Sequence, residues 1–387
     1  MSDPVINAGL PAARPAALAR PLAEVTSDRL VDAMRGFAAL LVAYFHCRQV
    51  TWVGMEAFHR SVGLALNPGS IVAYLTLPIA WGSAGVPIFF VLSGYCIHRS
   101  GAARLIANPD YRLNAGQFWL RRFVRIYPVL IVALFVTLAL DSISLSLHPA
   151  SHKILDIGPQ AFLVNLFSLQ GVAGSPYGSN GALWTLSLEV QFYVVYPLLF
   201  ALRRRFGLSA VLAAVALVNV VSALTLQLHE VLFFTSYWFS WMLGAWIAEI
   251  RLRDTPRWRQ RHGYLAAALF TAAGCAAYRF GQYGAFQLWA SGFACYLVVA
   301  LQRRHTVNGP LIQLFSKIGQ FSYSLYLIHL PIFVLLASLL FRSTLQTSIW
   351  PSFGFMLFVL PWAWLLYRFV EQPSQNFSAR LKRRLAS

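Results

Sequence analysis

Charge is what this chain has least of. Only 11% of its 387 residues are charged, against roughly a quarter in an average soluble domain. With 58% hydrophobic residues and a mean hydropathy of +0.59, an ordinary soluble globular protein is excluded. Intrinsic disorder, which needs low hydrophobicity and high charge, is excluded too. The four cysteines (Cys47, Cys96, Cys275 and Cys295) fall in or beside apolar runs. They show no CxxC spacing and no histidine partners at metal spacing, so neither a disulfide framework nor a metal site is supported. Signatures of the forms GxxxxGK[ST], GxSxG and GxGxxG are absent. ATP hydrolysis, a hydrolase-type serine nucleophile and a nicotinamide site therefore lack motif support. Acidic residues number 13 against 31 Lys and Arg, and only Lys153, Lys317 and Lys382 of these are lysines. The net +18 sits between apolar runs rather than on one soluble face. It orients helices against an anionic leaflet, and nucleic acid is not expected as a partner.

What remains is an all-α, polytopic membrane helix bundle. Ten apolar runs suit spans of about 20 residues: 30–50, 71–97, 126–141, 181–202, 207–227, 231–250, 262–280, 285–301, 320–341 and 349–370. The second is interrupted by Gly82, Gly85 and Pro87 and reads as a broken or re-entrant element. The third is short, and residues 114–125 read as an interfacial amphipathic helix leading into it. Residues 142–180 form the one long polar connection. Residues 1–27, rich in Ala and Pro with no secretory h-region, read as a disordered cytoplasmic tail. Residues 28–372 form the membrane domain, and 373–387 a basic cytoplasmic tail.

The basic residues test this topology independently of hydropathy. Three, Arg14, Arg20 and Arg29, precede the first run, six lie between the second and third runs, and three after the fourth. Five follow the sixth, three follow the eighth and five end the chain. The opposite face holds only Arg48, Arg60, Lys153, Arg279 and Arg342, and Arg35 lies within the first run. The bias places both termini in the cytoplasm.

Ionisable residues at membrane depth mark function. On the first helix Arg35 and His46 lie eleven residues apart, within about 20° of one face and about 16 Å apart along the axis. Asp32 lies near the same face. Such a stripe suits a pathway or an active-site tunnel; the alternatives are a snorkelling arginine and a packing histidine. Glu189, on a helix running the other way, reaches a depth comparable to His46. A His–carboxylate pair would fix the imidazole tautomer and raise its basicity. Glu189 could instead bond Trp184, Tyr193 or a neighbouring helix. His329 precedes Pro331, which frees a backbone carbonyl; it is read either as the partner of that carbonyl or as a polar contact to substrate. Arg122 and Arg125, at i and i+3, suit phosphate recognition or plain anchoring. Ser93 and Gly94 are small enough for close helix packing or for lining a narrow channel.

Five blocks carry a pattern: VDAMRGFAALLVAYFH, GVPIFFVLSGYCI, FWLRRFVRIYP, LWTLSLEVQFYVVYPLL and FSYSLYLIHLPIF. In this order they resemble the acyltransferase-3 family of bacterial integral-membrane acyltransferases, which modify lipopolysaccharide O-antigens, Nod factors and exopolysaccharides. The resemblance runs from about residue 29 to about 333. It implies that His46 is the essential histidine, Arg35 its partner in the first-span motif, and Arg122 and Arg125 contacts for acyl-CoA. Glu189 matches the first carboxylate of the S-x-E-E-Q-F-Y block, where the second is Val190 here. Tyr95 replaces the commoner Phe after Ser-Gly. With few residues after the last run, the membrane domain is expected to complete transfer itself or to hand the acyl group to a separate partner.

The expected activity is therefore transfer of an acyl group, most simply acetyl, from cytoplasmic acyl-CoA to a hydroxyl of a cell-envelope glycan or lipid-linked saccharide. The enzyme would lie in the bacterial inner membrane. His46 would be the base, oriented by Glu189 and aided by Arg35. Arg122, Arg125, Ser93 and Gly94 would hold acyl-CoA, and His329, Asp32 and Tyr95 would serve the acceptor or support the site. Acyl-CoA is a co-substrate; no permanently bound cofactor is expected. Partners would be the bilayer, the glycan acceptor and a polysaccharide biosynthesis complex. Two rivals predict similar buried charges: a proton-coupled exporter of a polysaccharide precursor, and a non-catalytic subunit of a polysaccharide synthase. An exporter also predicts helix breaks at matching places in two repeated halves, and none are found.

Overall fold

The computed structural model describes residues 29–63, 65–252, 260–302 and 309–384; the expected N-terminal tail lies outside them. Regular structure among the described residues is helical, apart from two isolated bridges, Trp52 to Gln346 and Gln170 to Gly174. The ten expected runs become α1 (Arg29–Thr51), α3 with α4 (Pro68–Leu75, Gly85–Ala107), α5 (Ala115–Ser146), α7 (Leu183–Phe206), α8 (Leu208–Thr225), α9 (Trp238–Leu252), α10 (Gln260–Ala277), α11 (Gln282–Gln302), α13 (Ser322–Phe341) and α14 (Trp350–Leu366). Short helices α2 (Met55–Val62) and α6 (Pro159–Leu166) lie in the connections, and α12 (Pro310–Gln320) leads into α13. Eight described segments are long and apolar enough to cross a membrane. The remaining two are α9, with only 15 residues, and α10, which begins Gln260, Arg261 and His262.

Three local expectations meet the structure differently. The second run is broken as expected: a 3-10 segment, Leu77–Ala84, separates α3 from α4, with Trp81 outside helical geometry. The separate interfacial helix over 114–125 is not seen. It is the first part of a continuous 32-residue α5 that passes through Pro128. A proline is tolerated there because neighbouring elements and local adjustment re-satisfy the backbone in a bundle. The basic tail over 373–387 is for the most part a helix, α15 (Gln372–Arg384). It packs along α5, where Ser378 Oγ donates to the Arg121 carbonyl at 3.0 Å.

α13 is the central post. In its most apolar stretch 72% of residues are buried, against 22% for the segment containing α8 and 17% for α14 with α15. The outer helices present Leu217, Leu224 and Leu357 to their surroundings, as lipid-facing helices do. Prolines inside the helices leave carbonyls four residues earlier without a donor, and side chains supply two of them. Trp119 Nε1 donates to the Tyr193 carbonyl, four before Pro197, at 3.0 Å. Asn180 Nδ2 donates to the Leu327 carbonyl, four before Pro331, at 2.7 Å. That second bond corrects the expectation that His329 takes the carbonyl freed by Pro331.

Two glycine crossings set the frame. A Cβ on Gly36 of α1 would stand 1.9 Å from the Phe315 carbonyl oxygen of α12, and one on Gly319 of α12 1.9 Å from the Asp32 carbonyl oxygen of α1. The same reciprocity joins α4 and α9: Gly94 faces the Trp241 carbonyl oxygen and Gly244 the Val91 carbonyl oxygen, each at 1.9 Å from an added Cβ. No side chain other than hydrogen fits, so backbone meets backbone. The crossings fix Asp32 and Arg35 on α1 opposite Ser93 and Cys96 on α4.

Candidate active site

Between these crossings lies a cavity of about 270 Å³. Six of the residues singled out from the sequence line it: Asp32, Arg35, Ser93, Arg122, Arg125 and Glu189. Arg35 donates to Asp32 Oδ1 and to Cys96 Sγ, both at 3.2 Å. Arg122 lies over the rings of Phe118 and Tyr193, at 5.5 and 5.6 Å from their centroids, a cation–π arrangement that leaves its N–H edge free for an anion. Glu189 accepts a short hydrogen bond from Tyr193 and a 3.4 Å bond from Ser93 Oγ. Ser93 in turn accepts from Trp241 Nε1 at 3.3 Å.

A further carboxylate, Glu371, also faces the cavity. It ends a π-turn, Tyr367–Glu371, between α14 and α15, the kind of helix irregularity that often marks a functional site. Its carboxylate accepts from Ser324 N and Oγ, at 3.1 and 2.6 Å, and from Gln375 at 2.8 Å. Three arginines and three carboxylates thus share the cavity wall. Where the family block has its second carboxylate this chain has Val190, and Glu371 reaches the cavity from the far end of the sequence.

Neither His46 nor His329 is on the cavity wall, and the two are partners of each other. His46 Nδ1 and His329 Nε2 are 2.8 Å apart, with the rings 5° from parallel. His329 Nδ1 lies 3.0 Å from the Leu325 carbonyl oxygen, which can only accept. For two neutral rings the hydrogens are then ordered. His329 Nδ1–H donates to Leu325, His329 Nε2 accepts from His46 Nδ1–H, and His46 Nε2 keeps a bare lone pair. The ring of Tyr326 touches both the cavity and the pair. It packs 5.8 Å from His329 and lines the cavity wall, with its oxygen accepting from Thr185 Oγ1 at 2.8 Å. His329 is fully buried and His46 half-buried.

This geometry corrects the expected His46–Glu189 pairing. Glu189 lies on the cavity wall with Arg35 and bonds Tyr193 and Ser93, and His46, outside that lining, takes His329 as its partner. Gly94 is consumed by the α4–α9 crossing, and neither it nor Tyr95 is on the cavity wall. The Tyr95 hydroxyl is held by Arg251 through a short bond and by Arg99 at 3.3 Å. The structure's His–carboxylate pair is elsewhere. His98 Nε2 meets Glu249 Oε1 at 2.9 Å, and Arg203 forms a two-pronged bond to the same carboxylate.

Glu371, Tyr326 and Cys96 were missed as site residues by the sequence reading. The signal for Glu371 was its rarity: with 13 acidic residues in the chain, every one beside an apolar run is a candidate. Among the described residues no three His, Cys, Asp or Glu side chains gather as metal ligands.

The family profile described as an acyltransferase domain, acyltransferase-3, matches residues 29–368, and the chain belongs to that family. Peptidoglycan O-acetyltransferase OatA of Listeria monocytogenes is 34% identical over 144 residues, 34% of this chain and 22% of that protein. Acyltransferase MdmB of Streptomyces mycarofaciens is 25% identical over 331 residues, 76% of each chain. Nodulation protein 10 of Rhizobium leguminosarum is 30% identical over 206 residues, 50% of this chain and 48% of its own. The chain thus spans less than a quarter of the OatA protein's length. No solved structure matches.

Proposed function

We propose that this chain transfers an acyl group, most simply acetyl, from acyl-CoA on the cytoplasmic side to a hydroxyl of a cell-envelope glycan. The names of relatives that carry O-acetyl transfer to peptidoglycan support the acceptor class. The observation that carries the reading is the ordered bond from Leu325 through His329 to His46. It leaves one nitrogen, His46 Nε2, without a hydrogen, on a pair that packs against Tyr326 of a cavity whose walls carry Arg35, Arg122 and Arg125. A thioester threaded past these arginines brings its carbonyl to Tyr326. The acceptor hydroxyl gives its proton to His46 Nε2 as its oxygen bonds to the thioester carbonyl carbon. The C–S bond then breaks, and the imidazolium returns the proton to the leaving sulfur, giving the ester and free CoA. The bacterial inner membrane, with both termini in the cytoplasm, is the setting in which the arginine-rich end meets soluble acyl-CoA.

The test is transfer of radiolabelled acetyl from acetyl-CoA into envelope glycan, using membranes with matched amounts of wild type or His46→Ala. We expect wild-type-dependent label that falls at least about 100-fold in His46→Ala, the loss typical of a missing general base. Label unchanged by His46→Ala would remove the base from this mechanism.

A further inference from the structure

A second cavity, of about 250 Å³, opens beside the first between α4, α5 and α15. The two share Arg122 and Arg125. Beyond that junction the second cavity adds Arg104 and Arg121, and no carboxylate is among the described residues lining it. The contrast with its neighbour is chemical. The first cavity balances arginines against carboxylates, whereas the two arginines that the second adds, Arg104 and Arg121, meet no carboxylate among the described residues of its lining.

Such a cavity is built for an anion of several charges. Tyr111 adds an aromatic face: Arg104 donates to its hydroxyl at 3.0 Å and lies 5.5 Å from its ring centroid. Both residues line the cavity. The remaining wall is α15, which contributes Ser378, the residue whose hydroxyl ties α15 to the Arg121 carbonyl.

We propose that this second cavity holds the phosphorylated nucleotide end of the acyl donor, a purine nucleotide carrying a diphosphate and a sugar phosphate. The inference rests on the acyl-CoA reading above and deepens it. The diphosphate sits at the junction on Arg122 and Arg125. Arg104 and Arg121 take the sugar phosphate, with the base against Tyr111. The uncharged arm runs on through the first cavity towards Tyr326. The C-terminal helix, α15, is then a wall of the donor site rather than an appendage.

The experiment is competition against radiolabelled CoA on the purified full chain, with unlabelled CoA, 3′-dephospho-CoA and pantetheine as competitors. Wild type is compared with Arg104→Ala, Arg121→Ala and the double variant, and with Arg104→Lys in case truncation disturbs folding. Wild type is expected to prefer CoA over 3′-dephospho-CoA. That preference should fall about tenfold per arginine, the scale of a charge-assisted bond, and Arg104→Lys should restore part of it. A preference unchanged in the double variant overturns the inference while leaving the acyl-CoA reading standing. Wild type that binds no CoA overturns both.

Discussion

His98 and His46 stand at two levels of the same bundle and are held by opposite means. His98 is fully buried between a carboxylate and a phenol: Glu249 meets its Nε2, and Tyr196 lies 3.3 Å from its Nδ1. Both ring nitrogens are spoken for, and Arg203 completes an ionic knot joining α4, α7 and α9. Among the described residues, His46 bonds another imidazole, which is anchored on a carbonyl. One network uses both nitrogens of its histidine. The other leaves a nitrogen over. A histidine–carboxylate pair is the usual sign of a tuned base, yet here it is the pair without a free nitrogen.

The largest effect separating the two networks is expected in stability. Arg203→Leu leaves Glu249 buried without its guanidinium partner. Breaking a buried ion pair in this way costs about 3–5 kcal/mol. Thermal unfolding in detergent should show this, while the specific activity of the folded fraction stays close to wild type. An unchanged melting temperature would show that the knot holds nothing together.

Next is His329→Ala, which removes the ring that orients His46. We expect kcat to fall about 100-fold, or ~2.7 kcal/mol, with little change in KM for acyl-CoA. His329→Gln, whose amide oxygen can accept from His46 Nδ1–H, should recover much of the loss. Equal activity in the Ala and Gln variants, both near wild type, would break the assigned order of hydrogens.

The smallest effect is expected from Glu189→Gln. The amide oxygen still accepts from Tyr193 and Ser93, so only a charge is lost from the cavity wall. A change of about tenfold or less in KM, ~1.4 kcal/mol, is expected, with kcat preserved. A collapse of kcat to the level of His46→Ala would place Glu189 in the same chemical unit as His46.

The helices were legible in the sequence because hydropathy is a local property, and a run such as 207–227 stays apolar whatever packs beside it. The continuity of α5 was not, because Arg121, Arg122 and Pro128 read locally as an interface and a stop. Arg35, Asp32 and Glu189 stood out as ionisable groups in apolar surroundings, and the structure gathers them into one cavity. The pairing of His46 was misjudged for a geometrical reason. Depth in a bundle follows from counting residues along a helix, but the direction a side chain takes across the bundle depends on neighbours. Counting put Glu189 at a depth comparable to His46, and the packing of α13 against α1 gives His46 the neighbour His329 instead. Arg104 and Arg121 were hidden by their setting, since at a membrane surface a binding arginine and an anchoring arginine look alike.

The paired glycines of α1 with α12 and α4 with α9 carry a consequence for how this site can diversify. At each crossing the obstacle to a larger residue is a carbonyl of the opposite helix, so trimming a nearby side chain makes no room. Each pair of positions is locked jointly and offers no single-step route to a wider bundle. Variation in the width of the cavity must therefore come from side chains on the wall, such as Phe89 and Leu186, where a shorter residue enlarges it without moving a helix. A survey of natural sequence variants should find change concentrated there and the four glycines standing still.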